Sequence, residues 1–238
     1  MTGHGGLRID DAVALDACQA VYVEVPKVAC SSIRTALARL LNVDLDAVGG
    51  NPHEATFPEP PDPVVGPTAY PGMFSFAFVR NPWDRLVSCY RDKILGQAPD
   101  FTHFHPARRV AFCLARFDIF EAGMPFDRFV EAVSDIPDAD ADGHFRSQYT
   151  FVSNGSGDIV LEFVGRFESL QTDFLSVCER LGIAPLHLPR VQVTKPRAPY
   201  AEYYTPRLRD LVADRFRSDL ELFGYQFGEA TRARSLTR

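Results

Sequence analysis

Residues 21–32, Val-Tyr-Val-Glu-Val-Pro-Lys-Val-Ala-Cys-Ser-Ser, constrain the fold more than any other stretch. An apolar run ends at Pro26, a lysine and small residues follow, and a helix-forming segment runs from Ile33 to Leu41. That order predicts a strand over Ala20–Val25, a tight loop, and a helix over Ser31–Leu41. The first N–H groups of a helix lack intrahelical partners and point out of its N-terminus, so such a junction is a ready anion site. Lys27 adds a full positive charge. The backbone of Val28, Ala29 and Cys30 and the hydroxyls of Ser31 and Ser32 add donors. The stretch therefore predicts a phosphate-like ligand at residues 27–32. It is not a Walker A loop, because the lysine comes first and no glycine follows it. The plainer alternative is a strand, a turn and a serine-capped helix with Lys27 merely solvated.

A second junction of the same kind lies downstream. Met73–Val79 is short, apolar and rich in aromatics, as a buried strand is. Asn81 and Pro82 then suit the cap and first turn of a helix over Trp83–Ile94. Arg80 stands at the strand end and Ser88 about two turns into the helix. An arginine there can fork onto a phosphate. The alternative makes Arg80, Arg85 and Arg91 surface charges paired with Asp84 and Asp92.

Composition narrows the field. A net charge of −6 over 238 residues argues against bulk nucleic-acid binding. Only three of the 25 basic residues are lysines, and one of them is Lys27 in the proposed anion loop. Five cysteines without a Cys-x-x-Cys pair suggest neither a disulfide framework nor a zinc site. Cys30 reads as a small buried thiol rather than a nucleophile. His103-x-His105 is a weak metal signal, and no metal is expected. No stretch approaches the ~20 apolar residues of a membrane span, and the expected location is cytoplasmic. The length suits one domain.

The rest of the chain reads as alternating strands and helices. Residues 1–19 form a polar lead-in, 20–228 the domain, and 229–238 a tail. Asn42–Gly72 is a long loop with a proline-rich insert over 57–72, read as part of an acceptor-binding lid. Pro125–Val133 reads as a helix, Ile159–Val164 as a strand after a turn at Ser153–Asp158, Thr172–Leu181 as a helix, and Pro206–Phe223 as the last helix. This alternation predicts an α/β protein, a single-domain P-loop-like three-layer fold with a central parallel sheet flanked by helices.

The two junctions together resemble a sulfotransferase. The first is similar to the loop that holds the 5′-phosphosulfate of 3′-phosphoadenosine 5′-phosphosulfate (PAPS). The second is similar to the segment that holds its 3′-phosphate, with Arg80 and Ser88 at the family's spacing. FAFVRNPWDRLVSCYRDKI resembles the Golgi-type ("family 2") carbohydrate sulfotransferases and their bacterial relatives. HFRSQYTF (144–151) is similar to the family's His-Trp-x-Pro-Gln segment, and 163–183 and 200–227 resemble its closing strand–helix and C-terminal helix. Phe145 stands where the family usually has tryptophan, and Arg146-Ser147 replaces Arg-Pro. These departures bear on the acceptor rather than the donor.

The resemblance implies transfer of a sulfuryl group from PAPS to a hydroxyl, on a glycan or glycosylated small molecule, leaving 3′,5′-bisphosphoadenosine. It implies that Lys27 stabilises the leaving oxygen, that Arg80 and Ser88 fix the nucleotide, and that Ser88 holds Lys27 back until an acceptor arrives. It implies a late basic loop, Lys195 and Arg197, over the 3′-phosphate, and Arg166 with Glu168 near the adenine. A hydroxyl acceptor needs a base. His53 is the first candidate, Glu54 the second and His144 the third, set against an idle loop histidine or a structural hydrogen bond. A P-loop-type small-molecule kinase and a non-catalytic nucleotide-binding protein are the competing readings. Oligomeric state is not legible.

Overall fold

The computed structural model describes residues 12–60, 72–96, 111–154, 156–189, 198–228 and 236–237. The chain divides into two compact units, each assembled from separated stretches. The first comprises Met1–Val79, Gln148–Val191 and Ala233–Arg238; the second comprises Arg80–Ser147 and Gln192–Arg232. The strands are β1 (Ala12–Leu15), β2 (Ala20–Val23), β3 (Phe74–Val79), β4 (Phe163–Arg166) and β5 (Leu236–Thr237). The helices are α1 (Cys30–Leu41), α2 (Pro82–Lys93), α3 (Phe112–Ala115), α4 (Phe126–Ser134), α5 (Tyr149–Val152), α6 (Leu170–Arg180), α7 (Pro206–Arg215) and α8 (Arg217–Phe223). Among the described residues no helix is long and apolar enough to cross a membrane.

All five strands belong to the first unit and form one sheet in the order β1-β2-β3-β4-β5. The central strands β2, β3 and β4 run parallel, with Tyr22 opposite Phe76 and Val79 opposite Arg166. The edge strands β1 and β5 pair antiparallel. This is the expected α/β arrangement around parallel strands. Those strands are buried, so they carry apolar residues on both faces rather than alternating. Tyr22, Phe76, Phe78, Phe163 and Phe174 stack edge and face through this core. A Cβ at position 165 would lie 2.4 Å from the Phe78 ring, so only glycine fits there. Parallel pairing also brings the C-terminal ends of β2, β3 and β4 to one edge of the sheet, where open α/β sheets bind ligands.

Two expectations for this unit needed correction. The lead-in over 1–19 contains β1, which a 3-10 turn at Asp16–Cys18 and the left-handed Gln19 (φ 48°) fold back onto β2. The aspartates around it hid a short apolar run. The strand expected at Ile159–Val164 lies at Phe163–Arg166. Ile159 lies in an isolated bridge to Ser153, and Glu162 N–H donates to the Ser75 carbonyl. Pairing with β3 sets this strand, and no local pattern marks Gly165 and Arg166 as part of it.

The described residues of the second unit carry helices α2, α3, α4, α7 and α8. Asn81 caps α2, its side chain accepting from the Trp83 N–H, and Pro82 occupies the first turn as expected. Trp83, Leu86 and Tyr90 from α2 pack with Phe129, Val130 and Val133 from α4 and with Leu208 and Val212 from α7. Phe145 is buried in the same core beside Phe117 and Phe120. It fills there the role of a large aromatic, contributing about 1.5–3 kcal/mol by burial. The last helix, expected unbroken over Pro206–Phe223, breaks at Phe216 (φ −110°, ψ 28°). The buried Phe216 continues the apolar pattern across the break, which is why periodicity alone reads straight through it.

Candidate active site

The β2–α1 loop is held in a costly conformation. Lys27 and Ala29 both adopt left-handed backbone angles, φ 70° and 59°, without being glycine. Such angles cost roughly 1–2 kcal/mol per residue. Backbone strain of this kind concentrates at ligand clamps, and alternating conformations turn successive N–H groups into an anion-binding concavity. Helix α1 starts at Cys30 with Ala29 as its cap and no side-chain capping bond. Ser31 and Ser32 therefore lie inside the first turn, and the serine-capped alternative does not hold. The Ala29 carbonyl accepts from the Ser32 and Ile33 N–H groups at 2.9 and 3.1 Å. Val28 is buried, and Lys27 is half-buried.

Cys30 opens α1 at the end of this loop and is half-buried. Burial first, and then the negative charge of Glu24, push its thiol up to about 11, against the pull of Lys27 and of the Lys27 and Ser31 N–H groups. It is a protonated thiol at neutral pH, not a nucleophile.

His53 reaches the same helix start. Its Nε2 lies 2.8 Å from Ser31 Oγ, and its Nδ1 lies 3.9 Å from a Glu24 carboxylate oxygen. The ring is about 40% exposed, whereas Glu24 is about 6% exposed. The other Glu24 oxygen accepts from Arg34 Nε at 2.5 Å. Arg34 also donates to the Pro52 carbonyl and lies over the Phe57 ring, so it secures the loop that carries His53. Asn51 completes the turn: its carbonyl oxygen accepts from the His53 N–H, and its amide donates to the Glu54 carboxylate at 3.1 Å. Glu54 thus braces the His53 turn from the exposed side. Glu24 and Arg34 were missed from the sequence. For Glu24 the signal was there, a charge inside an otherwise apolar strand run, and Arg34 reads as an ordinary charge within α1.

In the second unit Arg80 makes the ion pair offered as the plainer alternative. Its Nε and Nη2 both lie 2.8 Å from one Asp84 carboxylate oxygen, one helical turn on. Ser88 is half-buried on α2. Arg85 and Arg91 are not surface charges. Arg85 is buried and donates to the carbonyls of Gly143 and Arg146 at 2.8 and 2.7 Å. Burial lowers its pKa to about 10, so it stays charged. Arg91 donates to the Ala198 carbonyl and the Tyr203 hydroxyl and stacks on the Tyr203 ring. Asp92 pairs with Lys93 instead.

His144 belongs to a local turn. Asp142 Oδ1 accepts from both the His144 N–H at 3.0 Å and Nδ1 at 2.6 Å, and the Cys113 sulfur lies 3.8 Å from Nδ1. Burial would raise the Asp142 carboxyl, but the His144 bonds and charge outweigh it and hold it low. Burial and Asp142 push the Cys113 thiol up to about 11. Two clusters, Glu24–Cys30–His53 and Cys113–Asp142–His144, hold metal-ligand atom types within 4.8 Å of one another.

Arg166 is buried at the end of β4 and Glu168 exposed just beyond it. Lys195, Arg197 and most of the proline-rich insert lie outside the described residues. The start of that insert is visible: Phe57 is buried, and the Pro58 carbonyl accepts from Ala14 N–H on β1.

Known proteins are similar to this chain over most of its length. Carbohydrate sulfotransferase 14 of Danio rerio is 28% identical over 230 residues, covering 89% of this chain and 61% of its own length. Its counterparts in Mus musculus and Homo sapiens are 28% and 27% identical, each covering 89% of this chain and 59% of theirs. The chain thus spans about three fifths of the length of the curated relatives it matches. A crystal structure of a sulfotransferase from Alicyclobacillus acidocaldarius aligns over 70% of this chain and 60% of that one, at 16% identity and a TM-score of 0.34, too loose a likeness to argue from. The model of the Sulfotransferase family matches residues 10–226, nearly the whole sequence, and the chain belongs to that family.

Proposed function

We propose that this protein transfers a sulfuryl group from PAPS to a carbohydrate hydroxyl, on a glycan or glycosylated small molecule. The observation that carries the reading is the β2–α1 junction, a glycine-free strained loop with Lys27, running into a helix start that His53 touches through Ser31. Its donor set suits a phosphosulfate, since it combines backbone N–H groups, one ammonium and a serine hydroxyl. The names of the relatives support a carbohydrate acceptor.

PAPS, when bound, supplies the sulfuryl group on a phosphate leaving group. Lys27 neutralises charge growing on the leaving oxygen, and the α1 start adds its N–H dipoles. His53 Nε2 takes the acceptor proton as the hydroxyl attacks. Arg80 and Ser88, at the family's spacing, hold the 3′-phosphate, and Asp84 keeps the Arg80 fork oriented. Arg166, Lys195 and Arg197 retain the nucleotide roles that the resemblance implies. Most of the gain comes from positioning and electrostatics, as in phosphoryl transfer.

Titration calorimetry with 3′,5′-bisphosphoadenosine, AMP and ATP tests the donor. The bisphosphate should bind far tighter than either, and Arg80→Ala should weaken it by about 1.5–3 kcal/mol, as for a charged hydrogen bond. Preference for ATP would turn the reading to a kinase. Tight bisphosphate binding without turnover on any acceptor would turn it to a nucleotide-binding protein.

A further inference from the structure

We propose that Glu24 is a positioning residue for His53, fixing which ring nitrogen carries the proton and supporting the positive charge that the ring gains on taking one. This rests on the reading of His53 as the base. A carboxylate buried to about 6% exposure needs partners, and Glu24 has two, one on each oxygen. Arg34 holds one oxygen at 2.5 Å; the other faces His53 Nδ1 at 3.9 Å.

The second separation exceeds a hydrogen bond, so Glu24 acts there mainly through its charge. Its field favours a proton on Nδ1, the near nitrogen, and leaves Nε2 with a lone pair. Nε2 is the nitrogen that Ser31 Oγ touches at 2.8 Å, so Ser31 donates its hydroxyl proton to that lone pair. The same lone pair would accept the proton of an incoming acceptor. The ring then becomes imidazolium with a carboxylate beside it, and catalytic contacts of this type tighten when charge forms. The charged and titratable groups around the pair are Arg34 from α1, Lys27 and Cys30 from the loop and helix start, and Glu54 from the His53 turn. Arg34 fixes Glu24 in place and holds the Pro52 carbonyl, so carboxylate and imidazole are anchored by one guanidinium. The arrangement follows the general logic of a base oriented by a third group, with Glu24 as that group.

The test is Glu24→Gln, which keeps the shape and a hydrogen-bond acceptor for Arg34. Turnover at saturating donor should fall by roughly 10- to 100-fold, a part of what general-base catalysis supplies, while the donor KM stays within about twofold because Glu24 does not bind the nucleotide. Nitrogen NMR of labelled histidine reads the tautomer directly, with the His53 signal identified by its loss in His53→Asn. In the wild type neutral His53 should be protonated on Nδ1, and in Glu24→Gln the population should move toward Nε2. Should Glu24→Gln unfold, Glu24→Asp keeps the charge but draws it back from His53 Nδ1, and the tautomer and turnover should move in the same direction by less. An unchanged tautomer together with unchanged turnover would overturn the proposal. Full turnover in His53→Asn would instead overturn the base assignment, and the tautomer spectra distinguish the two failures.

Discussion

Each of the two units sets a histidine beside a carboxylate, and the two clusters are built differently. In the second unit one Asp142 oxygen binds both the backbone and the ring of His144, two residues on. The ring is locked into its own turn, and Arg85 ties that turn down further by the carbonyls of Gly143 and Arg146. In the first unit the carboxylate comes from a different element, 29 residues before its histidine, and stands off at 3.9 Å. Its ring is more exposed and its far nitrogen meets a hydroxyl at the start of α1. On the reading proposed above, the histidine bonded within its own turn holds structure and the one backed by a buried charge exchanges a proton.

The sharpest way to break this contrast is to remove each ring. His53→Asn should lower turnover by about 10²- to 10⁴-fold, as loss of a general base does, with bisphosphate affinity retained. His144→Asn should leave turnover within a few-fold and lower unfolding free energy by about 1–2 kcal/mol, the cost of a lost buried hydrogen bond. Steady-state kinetics and denaturant melts on both variants read this out. The reverse pattern would move the base to the second unit.

The clusters also share a feature that pH can expose. Cys30 and Cys113 both titrate at about 11 in the folded protein. A thiol in an unfolded chain titrates near about 8.5. The fold therefore binds the thiol protons more tightly than the unfolded chain does. This contribution is fully present below about pH 8.5 and is lost as pH rises toward about 11. Melting temperature should fall steadily over that window, and Cys30→Ser together with Cys113→Ser should flatten the fall. An unchanged slope would contradict the burial assigned to these thiols.

The smallest effect concerns the strained loop. Ala29→Gly frees a left-handed position, so folding stability should rise slightly or hold, within about 1 kcal/mol, because relief of strain offsets the extra freedom of the unfolded chain. A marked loss would show that the position is not strained.

What could be read from the sequence was local. Pro26, Lys27 and the two serines lie within a few residues of one another, and so do Asn81, Pro82 and the arginine before them. At these two junctions the strand ends and helix starts were therefore legible, with bounds off by one or two residues. What could not be read depends on partners far along the chain. Arg85 and Arg91 look like helix-surface charges next to Asp84 and Asp92, yet their bonds reach carbonyls 58 to 107 residues away. Glu24 interrupts an apolar run, but nothing local says that Arg34 and His53 will meet it. Strand β4 carries a glycine because Phe78 crowds that position, and its buried Arg166 is set by register with Val79 on β3.

The most direct test follows label from PAPS carrying radioactive sulfate onto a panel of desulfated glycans and glycosylated small molecules, with wild type and His53→Asn side by side. The account predicts label on a carbohydrate hydroxyl with equal release of 3′,5′-bisphosphoadenosine in the wild type, and near-background transfer in the variant. Equal transfer by both proteins, or none by the wild type despite tight bisphosphate binding, would contradict it.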